Sequence, residues 1–324
     1  MQTSNGIGPF CLDIDAFIPV ANSLFSQWPI ASLFYDSVSK SFLFSDGDKS
    51  MAKVNLQGKT LASFHINEIS HIPINDIHIK CSTIFRYQEK SFYVLLGYGS
   101  TLHSYRNFQN GFVCLSRIMN NELNAEYFAV FDTKRSSPDW AEFGFLQLAA
   151  GERLLASFYA YDRMFQIKLN FKTKNEPKPI QLALEDYSFH QKIKSMSIGN
   201  NGMEESLFVL FADSTIGKFN LSKPFSLMSR ELIPDKIFKI EGYVNYDLLF
   251  VKSNEHLLIK SRKGDRHCFL LLNNSIDGPV EVGFLKNQNV SIEHWNSDGD
   301  EIYAIDNNNS LILKLRFLYT IERN

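Results

Sequence analysis

Eight histidines, four cysteines and 35 acidic residues are enough material for a metal or acid–base centre, so their spacing is the first thing to read. The histidines form no H-x-H and no H-E-x-x-H, none stands at ligand spacing from a cysteine, and His71 and His78, too far apart for one helix face, are read as part of a blade connection. A catalytic zinc site therefore has no support. Cys11, Cys81, Cys114 and Cys268 contain no C-x-x-C pair, which removes zinc-ribbon and dithiol chemistry and leaves free, buried thiols as the expectation. The acidic pairs Asp13/Asp15 and Asp46/Asp48 offer hard oxygen ligands. A calcium loop needs further oxygens at alternate positions, and the segment DGDKS supplies only a fragment of one. GYGST, around Gly97, is neither a nucleophile elbow nor a phosphate loop and reads as a hairpin turn. The basic run SRKGDRH from Ser261 reads as a solvated turn, because a net charge of -2 and a pI near 6.5 give no field that would gather nucleic acid or anionic lipid. No cofactor motif is present, no cofactor is expected, and no catalytic residue is assigned.

Whatever these residues do, strands must position them. Aromatic residues reach 14% of the chain, with 28 Phe and 13 Tyr, a weight that favours strands over helices. One phrase recurs: a polar entry, an apolar-aromatic strand, a polar turn, and a second strand ending near Asn, Arg or Lys. Its six instances begin at Ser39, Glu89, Glu152, Glu205, Tyr246 and Asp300. Their mean spacing of about 52 residues is that of a four-stranded propeller blade. Flanking strand-like segments complete several blades: 30–36 and 60–66 in the first, 192–198 and 225–232 in the fourth, 237–243 and 267–272 in the fifth. The expected architecture is all-β, a single six-bladed β-propeller domain over residues 1–324.

The sixth blade has SIEHW, EIYAID and LILKLRF but little sequence left for an outer strand, and CLDIDAFIPV from Cys11 is the candidate to supply it. Such exchange removes open edges. The stretches 118–126 and 182–194 are each read as holding a turn or two of helix between blades. The interval between the second and third blades is oversized and contains Met119 to Trp140. There EYFAVFD is read as a strand of an extended outer hairpin, and a start at Glu126 to Thr133 would instead make a seventh blade. The hairpin rhythm, above all EIYAIDNNNSLILKLRF, resembles the six-bladed TolB-like and NHL-like propellers. That resemblance implies a rigid disc whose loop faces vary independently of the blades.

In the usual strand order, the turns between second and third strands and the links between blades share one face. That face is expected to carry the binding residues Asp46, Asp48, Tyr98, Arg135, Trp140, Tyr161, Asp162, Arg163, Asp213, Glu255 and Asp306, while Asp, Asn and Gly also stand at such places because turns need them. Three functions stay open. The first is a non-enzymatic module, monomeric on its own, that presents this face to a protein partner. The second is a calcium-assisted hydrolase or lactonase of the six-bladed type, with Asn245 and Glu293 as candidate ligands; without it no metal is expected. The third is carbohydrate binding by the aromatic rim. The N-terminus lacks the basic start and apolar core of a secretory signal, and no run approaches the roughly 18 apolar residues of a spanning helix. A cytoplasmic setting is expected, with no nucleic-acid or membrane partner.

Overall fold

Period-2 alternation carried by aromatic and branched side chains builds the regular elements of the chain, and among the described residues every one of them is a strand. The computed structural model describes residues 10–20, 30–66, 74–87, 90–101, 109–119, 122–131, 146–150, 153–158, 162–168, 180–200, 204–221, 231–251, 256–273, 279–284, 292–298 and 301–319. Two compact units are formed, one from Val20–Ile193 with Pro224–Ile233, the other from Met1–Pro19, Lys194–Lys223 and Pro234–Asn324. The first strand, β1 (Phe10–Pro19), belongs to the latter.

The unit beginning at Val20 holds three blades. In the first, β2 (Ser32–Asp36), β3 (Ser41–Ser45), β4 (Ser50–Asn55) and β5 (Thr60–His65) form an antiparallel meander. β3 is buried throughout, which is why it reads S-F-L-F-S without a charge. Its neighbours close their turns with side chains: Asp36, Asp46 and Asn55 each accept the backbone N–H two residues on, at 3.2, 2.9 and 3.0 Å.

The second blade runs β6 (Ile74–Tyr87), β7 (Lys90–Thr101), β8 (Gln109–Met119) and β9 (Glu122–Phe131). Here two expectations fail. GYGST is no turn: β7 continues through it, with Gly97 opposite Ile79 on one side and Phe112 on the other. Residues 118–126 are no helix, because β8 and β9 pair from Gly111↔Phe131 to Met119↔Glu122. The EYFAVFD segment is thus the outer strand of this hairpin and no seventh blade begins there.

The third blade follows as β10 (Leu146–Ala150), β11 (Leu154–Phe158), β12 (Arg163–Lys168) and, after β13 (Ile180–Gln181) has paired in parallel with β9, β14 (Ala183–Ser188). The helix read into 182–194 is replaced by β14 and the start of the next strand. Glu231 bridges Ser188 in parallel and Leu232 N–H donates to the Ser188 carbonyl at 2.8 Å, so this segment extends the third blade rather than the fourth.

The other unit holds the remaining three. β15 (Ile193–Asn200), β16 (Glu205–Phe211), β17 (Ile216–Asn220) and β18 (Lys236–Phe238) make the fourth blade. Because β18 pairs with β17, the segment expected to open the fifth blade closes the fourth. The fifth therefore consists of β19 (Val244–Val251), β20 (His256–Lys263), β21 (Arg266–Asn273) and β22 (Val280–Phe284), one strand out of frame with the expected assignment. β23 (Trp295–Asp298), β24 (Glu301–Asp306) and β25 (Leu311–Tyr319) form the sixth, and β1 is its outer strand, antiparallel to β25 from Phe10↔Tyr319 to Pro19↔Leu311. Arg316 donates to the buried Asp13 carboxylate at 3.0 Å, fixing that seam. The expected closing strand is therefore present. Cys11, Cys114 and Cys268 are buried, Cys81 is half-buried, and all four are free thiols.

Candidate functional site

Three of the acidic residues expected on the turn face hold their own turns. Asp213 Oδ1 accepts from Thr215 N–H at 2.9 Å and its hydroxyl at 2.7 Å. Asp306, fully buried, accepts from Asn308 N–H, Asn309 N–H and the Asn309 amide at 3.1, 3.3 and 2.6 Å. Asp46 accepts from Asp48 N–H and Ser50 N–H at 2.9 and 3.0 Å.

Asp48 is different, because Asp46 and Gly47 present it to the next blade. Gly47 has φ +75°, and a Cβ there would stand 2.7 Å from Ala31 Cβ, so both backbone and space require glycine. The turn then docks on β6: Ile79 N–H donates to the Asp48 carbonyl at 2.6 Å, and His78 Nδ1 donates to the Asp48 carboxylate. His78 stacks on Tyr98 from β7, with ring centroids 4.9 Å apart and planes at 24°. The Lys80 ammonium lies over the Tyr98 ring, 5.1 Å from its centroid. Burial holds that ammonium below the ordinary lysine value, against the opposing pull of the Asp48 and Asp46 carboxylates.

Register irregularities place these side chains. β6 shifts against β7 between Asn75 and His78 and again between Ile79 and Cys81, so the I-H-I-K stretch is bracketed by two bulges. Ile77 and Ile79 point inward, fully buried, and His78 and Lys80 share the other side, half-buried. The result is one carboxylate–imidazole pair and one ammonium on a shared phenol ring, with the Asp48 and His78 side chains 31% and 22% exposed. That exposure leaves both reachable from solvent. Three expected residues, Asp46, Asp48 and Tyr98, are thereby brought together; His78, read as part of a blade connection, and Lys80 are the residues sequence reasoning missed.

Of the other expected residues, Asp162 is exposed and its carbonyl accepts Phe189 N–H at 2.7 Å, and Arg163 opens β12 opposite Ser188. Arg135, Trp140, Tyr161 and Glu255 lie outside the described residues. Both polar ends of Asn245, which is fully buried, are engaged: the amide donates to the Ser214 carbonyl at 3.2 Å, and the oxygen accepts the Ser261 hydroxyl at 2.6 Å. Glu293 accepts from the Asn307 amide. Among the described residues no three His, Cys, Asp or Glu side chains converge as a metal ion would require.

A second polar cluster joins the fourth, fifth and sixth blades. Asp247, at a bulge in β19, accepts from the Ser195 hydroxyl at 2.6 Å and from Leu248 N–H at 2.9 Å. Lys260 stands opposite it in register and donates to the Ile292 carbonyl and, at 3.4 Å, to that of Glu293. Burial raises the Asp247 carboxyl and lowers the Lys260 ammonium; burial, aided by Lys260, pushes His294 down to about 4. The Ser195 hydroxyl ties the fourth blade to the fifth and Lys260 ties the fifth to the sixth through backbone carbonyls, which is the work of a structural network.

No family model and no curated protein sequence matches the chain. Solved structures do. The β-propeller domain of Cps50 (Swd1) from Myceliophteria thermophila is similar over 88% of this chain and 82% of that one, at 13% identity and a TM-score of 0.52. A glucose dehydrogenase is similar over 94% and 98%, at 10% identity and a TM-score of 0.57. The soluble aldose sugar dehydrogenase of Escherichia coli, in its apo form, is similar over 94% and 99%, at 10% identity and a TM-score of 0.53. At such identities the likeness reaches the fold alone, and the fold is a six-bladed β-propeller.

Proposed function

We propose that the whole chain is one β-propeller domain, nearest in rhythm to the TolB-like and NHL-like propellers, that acts as a non-enzymatic protein-binding module through the turn face bearing Asp48, His78, Lys80 and Tyr98. One observation supports this reading above the others: the Asp46–Asp48 turn is tied to β6 by a backbone and a carboxylate hydrogen bond, and β6 to β7 by the His78–Tyr98 ring stack, while the Asp48 and His78 side chains stay partly exposed. A surface whose rotamers are already fixed loses little entropy on docking, and a tyrosine flanked by both charge signs suits a protein surface better than a small ligand. The acidic and cationic members set the partner's orientation, and Tyr98 supplies the contact area.

The test is capture of partners from the native cell by the immobilised chain, comparing wild type with Tyr98→Ala. A stoichiometric partner is expected, with its affinity reduced by about 2 kcal/mol, or about thirtyfold, in the variant. Recovery of no partner, or equal recovery by the variant, overturns the reading. Asp48→Asn should weaken binding less, since it keeps the shape of the turn and removes only the charge.

A further inference from the structure

The basic run at Ser261 forms the solvated turn expected of it, exposed from Arg262 to His267, and its side chains are ordered. Lys263 and Arg266 pair across a tight turn at Gly264, whose φ is +59°, so β20 and β21 end as a hairpin between the second and third strands of their blade. The alternation then sorts the side chains. Ser261 and Cys268 face inward, buried, while Arg262 and His267, directly opposite each other, face outward. Val244, opposite Arg262 on β19, shares that outward side and is 43% exposed. Tyr246, at the bulge between Asn245 and Asp247, sets its ring 6.0 Å from the Arg262 guanidinium carbon and 6.4 Å from the His267 ring. Around the edge, the Lys263 ammonium lies 5.2 Å from the centroid of Tyr243.

The charges on this platform are unequal in state. Arg266 is neutralised by Glu281. Arg262 and Lys263 have no carboxylate partner among the described residues; each rests on a tyrosine ring. Arg86, Arg117 and Arg316, by contrast, all pair with carboxylates. A guanidinium laid on a ring keeps its N–H edge for an incoming anion, and the ring pre-orients it. We infer that Arg262, with Tyr246, His267 and Val244, forms a docking surface for an acidic peptide segment of a protein partner, the guanidinium taking a carboxylate and the exposed Val244 and Tyr246 taking an adjacent apolar side chain. The identity of the partner as a protein rests on the function proposed above; the chemistry of the segment does not.

Charge and composition choose the occupant. Nucleic acid and anionic membranes reward many cations along a track, with each phosphate neutralised adding to affinity. Here, among the described residues, two cations without a carboxylate partner stand beside Asp265 and Glu281 in a chain of net charge -2, enough for one or two carboxylates and not for a polyanion. An exposed valine and tyrosine beside them match a peptide side chain.

The experiment measures fluorescence anisotropy of a labelled short peptide of Glu and Asp around one Leu, titrated with the full chain. Controls are the same peptide with Gln and Asn, an oligothymidylate, and phosphatidylcholine vesicles containing phosphatidylserine. Saturable binding of the acidic peptide alone is expected, weakened about tenfold by Arg262→Gln. Arg262→Lys should recover only part of the loss, and Tyr246→Leu should weaken binding about threefold. Both positions are exposed, so thermal melting should show each of the three variants folded. The inference falls if the neutral peptide binds as well, if Arg262→Gln leaves binding unchanged, or if oligothymidylate or vesicles bind more tightly. Loss of partner capture by Tyr98→Ala alongside unchanged peptide binding by Arg262→Gln would sink this inference and leave the turn-face function standing. Intact peptide binding with no Tyr98-dependent partner would do the reverse.

Discussion

A single methyl group on Gly97 is expected to destabilise the protein by about 3 kcal/mol or more, as backbone overpacking does at its upper end. A Cβ at that position would stand 2.0 Å from the His78 carbonyl oxygen, 3.0 Å from its carbon and 3.1 Å from Phe112 Cε1. The first two are backbone in the middle of a paired strand, so no rotamer change relieves them. Either β6 leaves β7, breaking the ladder between the two bulges, or β7 bends toward β8 and into the buried Phe112. Gly242→Ala is the matched control. Its φ is +79° but nothing lies within 4 Å of the added atom, so only the left-handed backbone costs, about 1 kcal/mol. Urea unfolding of the two variants should separate them clearly. Equal losses would mean that β6 and β7 do not approach as closely as described. Because His78 carries the hydrogen bond to Asp48, Gly97→Ala should also abolish whatever the Asp48–Tyr98 surface binds.

The same glycine shows where sequence reasoning failed. Gly-Tyr-Gly-Ser-Thr has the composition of a turn, and local composition does not reveal that a neighbouring carbonyl needs the space of a missing side chain. Elsewhere turn chemistry was legible. The turns at Asp46, Asp162, Asp213 and Asn307 each fall between the second and third strands of their blades, as the hairpin phrase predicts. The fifth blade went out of frame because its first hairpin, YDLLFV with HLLIKS, looks the same whether it supplies strands one and two or two and three. The three-residue β18 decides that question by pairing with β17, too short a signal to read in advance. The site was half legible. Asp46 and Asp48 have the same side chain two residues apart, and only the fold separates the one that closes a turn from the one that reaches His78. His78 and Lys80 were missed although I-H-I-K alternates as a half-buried strand does; an expected blade connection displaced that reading.

Acid should unfold this protein more readily than its carboxylates alone would. His294 is pushed down to about 4, by burial first and by the Lys260 ammonium second, from an ordinary value of 6.5. The unfolded chain therefore takes a proton at pH 6.5 that the folded chain refuses until about pH 4. Across that window the unfolded state binds more protons, and stability falls as pH falls, by about 3 kcal/mol once the lower value is reached. Asp247 acts in the opposite sense. Its folded value is raised above 3.8, so protonation between that raised value and 3.8 favours the folded state and offsets part of the loss. Urea unfolding at pH 7 and near pH 4.5 should show the drop in the wild type and a much shallower one in His294→Gln. Lys260→Met sharpens the test. At pH 7 it removes the donor to the Ile292 carbonyl and the cation facing Asp247, a loss of about 3 kcal/mol. It also withdraws the charge that helps hold His294 neutral, so its own acid slope should be shallower than that of the wild type. A variant that is stable at pH 7, or one with an unchanged acid slope, would show that Lys260 and His294 do not share the buried environment that joins the fifth blade to the sixth.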